Sequence, residues 1–319
     1  MIRLNTDQHK KRTGVLKLAT WNVRTLSGEG KLANVKQELE REKINILGMC
    51  ETRWKGTGIK TDEEFKIIYS GGEERQRGVA IILDRETSKS VQGYWAVSDR
   101  VLLVKLIGRP FNINIIQIYA PTGESSDDSI EEFYNDIESA LKKCKDSEIT
   151  IIMGDFNAKV GNQGDGCTVG NHGLGERNER GYKLVEWAKE QEMIVGNTWF
   201  QQHPRRLWTW RSPDGKTRNQ IDYILISRRF RNMLTIAKTV PNADCYSDHR
   251  LITGTVRIKL KKVKYITANT KYDKCTLRDD KEIQNKFNIE VKNRFDVLSD
   301  LEILFQDVDA SATRNKWKS

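Results

Sequence analysis

Several apolar runs of this chain end on a polar side chain that can hold a metal ion or a phosphate group. Runs of four to eight mostly β-branched residues are typical of buried strands, and a side chain at the end of such a strand is held rigidly at the rim of the sheet. The polar residues are Asn22, Glu51, Tyr119 and Asp155, followed later by Asp222 and the adjacent pair Asp248 and His249. Together they suit metal-assisted chemistry on phosphate esters.

The tetrapeptide from Gly154 to Asn157 places a carboxylate and an amide two residues apart. If the strand continues through it, the alternation of side chains turns Asp155 and Asn157 to the same face. The carboxylate can then orient an attacking water or accept its proton, and the amide can hold that water or a phosphate oxygen. Asp and Asn are also common in the turn after a strand, and the tetrapeptide alone favours neither interpretation.

A single Glu at the end of a buried strand is the kind of ligand that Mg²⁺ uses. This ion prefers one or two carboxylates, together with waters and substrate phosphate, to a cage made only of protein atoms. Glu51 fits that description, and Asn22 could support it. By itself Glu51 is weak evidence, because a solvent-facing Glu after a strand needs no functional explanation.

His249 is one of only four histidines and follows Asp248 directly. A carboxylate at hydrogen-bond distance favours the imidazolium form, which can grip a phosphate and stabilise the charge of the transition state. Adjacent residues of a strand face opposite ways, so Asp222 is an equally good partner. The alternative is a capped histidine at the start of a strand, which we would favour if Asp155 and Glu51 were absent.

The composition indicates a globular protein kept in a reducing compartment. The 319 residues are 37% hydrophobic, which is enough for a full core. No apolar run approaches the ~20 residues of a membrane span, and the polar start of the chain has no signal core, so we expect neither membrane insertion nor secretion. The five cysteines include no C-x-x-C pair, which argues against a disulfide framework and a zinc site.

The formal net charge of +10 and the pI near 9.2 attract polyanions such as nucleic acid or an anionic membrane. A solvated basic surface is as good an explanation of the charge alone. The positions of the basic residues favour nucleic acid, because Arg205 and Arg206 interleave with Trp199, Trp208 and Trp210. Arginine among aromatic residues suits phosphate contact combined with base stacking, although these tryptophans could equally belong to the core.

The order of the predicted elements indicates two sheets packed face to face with helices outside. Strand patterns from residue 64 to residue 119 predict a meandering sheet, and amphipathic helices are predicted around residues 32–43, 130–141 and 182–191. We therefore predict an α/β fold, specifically a four-layer α/β/β/α sandwich.

A change of composition at residues 259–262 predicts a domain boundary. We expect a basic tail over residues 1–14, a catalytic domain over 15–260, and a charged connector over 261–319. Apolar residues at helical spacing in the connector, such as Phe287 and Val291, predict a helix there.

Six short blocks, in this order over residues 15 to 258, resemble the endonuclease/exonuclease/phosphatase superfamily, which includes exonuclease III, the apurinic endonucleases and pancreatic-type deoxyribonuclease. The blocks are Thr20–Arg24, Cys50–Trp54, Ile118–Thr122, Gly154–Asn157, Asn219–Tyr223 and Tyr246–His249. Residues 197–203 and 208–215 look closest to the endonuclease domains of LINE-type retrotransposons of the RTE kind and of host proteins that carry such a domain. The resemblance implies a deoxyribonuclease-like sandwich.

The resemblance also implies roles for individual residues. Glu51 would bind Mg²⁺, with Mn²⁺ as a substitute, assisted by Asn22. Asp155 and Asn157 would orient and activate water. The phosphate contacts would come from Tyr119 and His249, while Asp222 and Asp248 would orient His249 or approach the metal.

Two positions depart from the apurinic endonucleases. Arg24 stands where those enzymes commonly have an acid, which argues against a second metal position, and Thr122 stands where they usually have Asn. We therefore expect plain phosphodiester cleavage more than damage-specific cleavage. The residues expected to bind substrate are Arg24, Thr122, Arg205, Arg206, Trp208 and Trp210.

Our leading hypothesis is an Mg²⁺-dependent endonuclease that nicks DNA and leaves a 5′-phosphate and a 3′-hydroxyl. Two alternatives are a domesticated DNA- or chromatin-binding domain without catalysis, and a hydrolase of another phosphate ester. Relatives among retroelements continue into a reverse transcriptase, so we expect either a truncated element or a reused one. The expected partner is DNA, with no membrane and no obligate protein partner. The expected location is the nucleus, inferred from the substrate, with the cytoplasm as a second compartment.

Overall fold

The computed structural model describes residues 14–28 and 30–261. Nearly all of the predicted tail over 1–14 and of the predicted connector over 261–319 lies outside the described residues, so these predictions and the domain boundaries remain predictions. Within the described residues, no helix has the length and apolar character needed to cross a membrane.

The described residues form four α-helices and seventeen strands. The helices are α1 (Lys31–Arg41), α2 (Arg85–Ser88), α3 (Asp127–Leu141) and α4 (Glu179–Glu190). The strands of the first half are β1 (Val15–Asn22), β2 (Ile46–Cys50), β3 (Thr57–Thr61), β4 (Phe65–Ser70), β5 (Val79–Asp84), β6 (Val91–Ala96), β7 (Val101–Leu106), β8 (Gly108–Arg109) and β9 (Ile113–Tyr119). Those of the second half are β10 (Ile149–Asp155), β11 (Met193–Val195), β12 (Trp210–Arg211), β13 (Arg218–Asn219), β14 (Asp222–Ser227), β15 (Leu234–Thr239), β16 (Ile252–Arg257) and β17 (Lys259–Leu260).

Two large sheets form the centre of the fold. The first has the order β15-β16-β1-β2-β5-β4-β3 and the second the order β11-β14-β10-β9-β7-β6. Two short ladders, β12 with β13 and β8 with β17, lie beside them. The predicted single meander over residues 64–119 is wrong, because β4 and β5 belong to the first sheet and the strands from β6 to β9 do not. Helix α2 separates the two groups.

Three apolar clusters confirm the four-layer arrangement. One lies between the sheets and contains Leu18 and Ile151. A second packs Ile137 of α3 and Leu184 of α4 on the outer face of the second sheet. The third packs α1 on the outer face of the first sheet, where it contacts Trp21 and its neighbours. Both faces of the central strands are covered, which explains why these strands are continuously apolar in sequence.

The direction of the strands brings the polar residues to one rim. β1 pairs in parallel with β2, and β9 with β10, so Asn22 ends beside Cys50 and Tyr119 ends beside Asp155. β14 runs antiparallel to β10 and therefore begins at this rim, with Asp222 opposite Asp155. β16 is antiparallel to β1, which places the segment preceding β16 at the same rim.

A buried polar bridge fixes how the two sheets face each other behind this rim. Gln117 of β9 is fully buried, and its Nε2 donates to Oγ1 of Thr20 at 3.1 Å and to Sγ of Cys50 at 3.0 Å. Burial raises the pKa of the Cys50 thiol, so it remains protonated and donates to the carbonyl of Ile118 at 3.0 Å. A side chain at position 48 would collide with the Gln117 amide, which explains Gly48.

Replacing Gln117 should destabilise the fold without touching the rim itself. In Gln117→Ala the loss of packing and the unpaired Thr20 hydroxyl should lower the free energy of unfolding by about 2–4 kcal/mol, measured by urea denaturation. The control is Gln163→Ala, because Gln163 is exposed in a loop and its change should stay within about 0.5 kcal/mol. Equal stability of the two variants would show that the bridge contributes nothing.

Candidate active site

A single cleft of 360 Å³ opens at the rim where the strands converge. It contains most of the predicted site residues, namely Arg24, Glu51, Tyr119, Thr122, Asp155, Asn157, Trp210, Asp248 and His249. Asn22 and Asp222 are each 1% exposed and lie behind this lining, bonded to it. The structure therefore brings together residues that are separated by more than two hundred positions in sequence.

The side-chain amide of Asn22 joins two carboxylates. Its NH₂ group donates to Oε1 of Glu51 and to Oδ2 of Asp155, both at 3.0 Å. Its oxygen accepts the backbone N–H of Arg24 at 3.0 Å. The structure thus shows Asn22 as a residue that positions the two carboxylates. Its oxygen accepts one hydrogen bond, and its predicted role at a metal ion remains a prediction.

Glu51 receives a second hydrogen bond from the phenol of Tyr119, also on Oε1 and at 3.0 Å. Burial and the nearby carboxylates of Glu51 and Asp155 raise the pKa of Tyr119 far above its ordinary value, so the phenol remains a proton donor. Among the described residues, the other oxygen, Oε2, has only a 3.5 Å contact, with the guanidinium of Arg53. That oxygen therefore keeps its capacity to bind a cation.

The backbone around this carboxylate is held in an uncommon conformation. Arg24, Thr25, Glu51 and Asn157 all have positive φ angles, between 46° and 77°. Such angles cost energy in residues other than glycine and persist only where neighbours enforce them. The backbone N–H of Thr25 donates to the carbonyl of Glu51 at 2.7 Å, so each turn stabilises the other.

Asp155 is nearly fully buried at the end of β10. Its Oδ1 accepts the backbone N–H of Asn157 at 3.0 Å, and its Oδ2 accepts from Asn22. Burial, and then the charge of Asp222, raise the pKa of Asp155, and the charge of His249 partly offsets this rise. The pKa of Asp155 stands at about 7. A carboxylate with that pKa can take a proton from water near neutral pH.

Asn157 reaches the cleft by a turn and not by strand alternation. β10 ends at Asp155, and Asn157 has a φ of 48°, so of the two interpretations that the sequence left open the structure selects the turn. The Asn157 amide donates to the carbonyl of Ala120 at 2.9 Å. This bond fixes the amide at the edge of the cleft while the carbonyl oxygen of its side chain has no partner among the described residues.

Asp222 is the residue that orients His249. Its Oδ2 lies 3.0 Å from Nδ1 of the imidazole, whereas Nε2 lies 3.8 Å from Oδ2 of Asp155. Burial lowers the pKa of His249, but the carboxylates of Asp222 and Asp155 raise it by more, so that it stands at about 9. The imidazole is therefore a cation at neutral pH.

Asp248 turns away from the imidazole that follows it. Its Oδ2 accepts the indole N–H of Trp210 at 3.2 Å and lies 4.0 Å from the guanidinium of Arg24. Of the two partners that the sequence left open for His249, the structure selects Asp222. Asp248 lines the cleft separately, and its approach to a metal ion remains a prediction.

The predicted substrate-binding residues divide into two groups. Arg24, Thr122 and Trp210 line the cleft. Arg205 and Arg206 are exposed outside it, and Trp208 is only 9% exposed. Since the ring of Trp208 is buried under protein, base stacking on it does not fit the structure.

Several residues to which the sequence analysis assigned no role complete the site. Thr209 is buried, and its hydroxyl accepts the backbone N–H groups of Ile221 and Asp222. The hydroxyl of Ser247 donates to the carbonyl of Asn22 at 2.7 Å. The remaining cleft residues are Lys159, Asn178, Asn219 and Ile221. Asn219, Ile221 and Ser247 lie in the blocks that carry the family resemblance. Asn178 caps α4, and an Asn before an amphipathic helix is a recognisable signal.

The donors of the cleft fit Mg²⁺, which prefers carboxylate oxygens, water and phosphate. Glu51 offers a carboxylate oxygen with spare capacity. Ligand atoms of Asp155, Asp222 and His249 also lie within 4.8 Å of one another. The protonated imidazole of His249 already supplies positive charge between the carboxylates of Asp155 and Asp222, so we favour Glu51 as the ligand.

A known family shares this organisation. The Endonuclease/Exonuclease/phosphatase family matches residues 19–249, and the chain belongs to this family. Craniofacial development protein 2 from Bos taurus is 42% identical over 245 residues, which cover 76% of this chain and 41% of that protein. The chain therefore spans about two-fifths of the length of that relative.

Solved structures share the fold at low sequence identity. AP endonuclease LMAP from Leishmania major gives a TM-score of 0.60 at 16% identity, covering 81% of this chain and 92% of the other. The endonuclease domain of TRAS1, a telomere-specific non-LTR retrotransposon, gives a TM-score of 0.54 at 13% identity. The match covers 76% of this chain and 99% of the other. These similarities confirm the predicted deoxyribonuclease-like sandwich.

Removing the Asp222 carboxylate should lower the pKa of His249. In Asp222→Asn we expect the pKa of His249 to fall below its wild-type value of about 9, because burial then opposes the charge with less compensation. The pKa of His249 in the folded wild type is raised above its ordinary value of 6.5. Protonated His249 therefore stabilises the fold fully below a pH of about 6.5, and this stabilisation is lost as the pH rises through about 9. The measurement is an NMR titration of the metal-free protein. Asp248→Asn is the control, and an equal shift there would contradict the assignment of Asp222.

Proposed function

We propose that this chain is an Mg²⁺-dependent endonuclease that hydrolyses DNA phosphodiester bonds. The observation that carries the proposal is the hydrogen-bonded network at the rim, in which Asn22 links Glu51 to Asp155 and Asp222 holds His249. A binding role would not require buried carboxylates to be brought this close. Their mutual repulsion and desolvation cost stability, and such a cost is typical of a catalytic site.

Asp155 would act on the attacking water. Two hydrogen bonds, from Asn22 and from the backbone of Asn157, fix the direction of its carboxylate. It would take one proton as the water oxygen forms its bond to phosphorus, and the bond from phosphorus to the 3′-oxygen would break. That oxygen takes up a proton and leaves as a hydroxyl, so the products are a 5′-phosphate and a 3′-hydroxyl.

His249 would stabilise the negative charge on the phosphate. Its imidazole is protonated at neutral pH because Asp222 and Asp155 flank it, and charge stabilisation by a fixed cation costs no reorganisation during the reaction. Tyr119 would donate its hydroxyl proton to a phosphate oxygen or continue to hold Glu51. Mg²⁺ bound at Glu51 would neutralise phosphate charge and favour the departure of the leaving oxygen.

Nucleic acid is the substrate that the surroundings of the cleft favour. The net charge is +10, and Arg24 lies in the cleft beside Trp210. A small soluble phosphate ester would not need a tryptophan and a surface of arginines beside the catalytic groups. We further propose a retrotransposon origin for the domain, supported by the sequence blocks noted above, and nuclear residence as a consequence of the substrate.

Supercoiled-plasmid nicking tests the proposal directly. Wild-type protein should nick with Mg²⁺ and should not nick with EDTA, and Asp155→Ala should lose at least about 10²-fold in rate because the base is removed. The nicks should be sealed by DNA ligase, which requires a 5′-phosphate and a 3′-hydroxyl.

The control for this experiment is Asp146→Ala, which removes an exposed carboxylate outside the cleft and should keep the wild-type rate. DNA binding without nicking by the wild type would favour a domesticated binding domain. Phosphate release from inositol phosphates, without nicking, would favour a hydrolase of another ester.

His249→Ala separates catalysis from binding. We expect a loss of about 10²–10⁴ in nicking rate with little change in DNA affinity, because the imidazolium acts on charge that develops during the reaction. His203→Ala removes an exposed histidine outside the cleft and should change neither quantity. An equal loss of affinity and rate in His249→Ala would contradict the catalytic role.

A further inference from the structure

Two arginines face each other on a short hairpin beside the cleft. β12 and β13 pair antiparallel, with Trp210 opposite Asn219 and Arg211 opposite Arg218. Like charges directly opposite in a ladder destabilise it. The pair Trp210 and Asn219 lines the cleft, so the two arginines stand one position further out on the same hairpin.

A third arginine, Arg250, packs on the ring of Trp208 together with Arg218. The guanidinium carbon of Arg250 lies 3.2 Å from the centre of that ring, and that of Arg218 lies 5.2 Å from it. Burial, and then the charges of Arg218 and Arg211, lower the pKa of Arg250 to about 10. Trp208 is therefore a buried platform that carries guanidinium groups, which explains why its own ring is covered.

Among the described residues, none of these three arginines forms an ion pair with a carboxylate. The carboxylate of Asp214, in the turn of the hairpin, is held by the hydroxyl of Ser212 and by the N–H of Lys216. Gathering unpaired cations costs stability, and a polyanion would offset that cost.

Backbone hydrogen bonds join the arginines to the catalytic segment. The N–H of Arg211 donates to the carbonyl of Asp248 at 3.1 Å, and that of Arg250 donates to the carbonyl of Thr209 at 2.7 Å. The guanidinium of Arg250 also donates to the carbonyl of Arg205 at 2.7 Å, which anchors it. The cations are thus fixed relative to His249, which precedes Arg250.

We propose that Arg211, together with Arg218 and Arg250 on the ring of Trp208, binds backbone phosphates of duplex DNA beside the cleaved bond. The inference rests on the proposed function for its substrate class. Planar guanidinium groups match phosphate oxygens in pairs, and phosphate contacts carry no sequence information. This surface therefore positions the duplex and contributes affinity that is independent of sequence.

The test measures binding of the full 319-residue chain to a fluorescein-labelled 20-base-pair duplex in EDTA over a series of salt concentrations. The double variant Arg211→Gln with Arg218→Gln should reduce the slope of log affinity against log salt by about 2, on every duplex sequence tried. Arg211→Gln alone should reduce it by about 1, and it leaves the ring contacts of Trp208 in place.

The matched control is Arg229→Gln with Arg231→Gln. These two arginines are exposed, have no carboxylate among the ion pairs of the described residues, and follow the end of β14 opposite to Asp222. The change in net charge is the same, so the control should keep the wild-type slope. Circular dichroism confirms that each variant is folded.

The outcomes separate this inference from the nuclease proposal. If the double variant and the control have equal slopes and affinities, the proposal that these arginines bind DNA phosphates is wrong, whether or not the protein nicks plasmid. Failure of the wild type to bind the duplex at low salt also overturns it. If the wild type binds and does not nick, and the double variant alone loses the phosphate contacts, the surface stands and the enzymatic proposal fails.

Discussion

The side-chain amide of Asn22 is the contact on which the site depends, because it holds carboxylates of both sheets. Glu51 directly follows β2 of the first sheet, Asp155 ends β10 of the second, and one NH₂ group donates to both. Two carboxylates close together at a poorly hydrated rim repel each other and lose solvation. The amide and the imidazolium of His249 offset that penalty, so the rim is stable only when the two sheets meet in one relative position.

The remainder of the fold enforces that position. Gln117 bridges the sheets just behind the rim, and Gly48 leaves room for it. Left-handed turns at Arg24 and Glu51 bend the chain immediately after β1 and β2, and the backbone bonds between these turns hold them. The energetic costs of strain and of buried charge thus lie at the rim, while the three apolar clusters supply the stability.

The sequence predicted the strands and the types of the site residues better than the contacts that each side chain makes. Apolar runs located β1, β2, β9 and β10, because strands covered on both faces must be apolar throughout. It left open whether Asn157 follows a strand or a turn, and the structure shows a left-handed turn. It named Asn22 but did not reveal that its amide joins Glu51 to Asp155. The meander was misjudged because local alternation does not reveal which of two sheets a strand joins.

The sequence by itself determined the inventory of chemical groups and their places at strand ends, since both follow from hydrophobic patterning over short windows. Only the tertiary structure decided that Asp222 and not Asp248 orients His249, that Trp208 carries arginines instead of stacking on bases, and that Asn22 links two sheets. Each of these depends on contacts between residues distant in the chain. Their geometry is set by strand register and sheet packing, which no local pattern encodes.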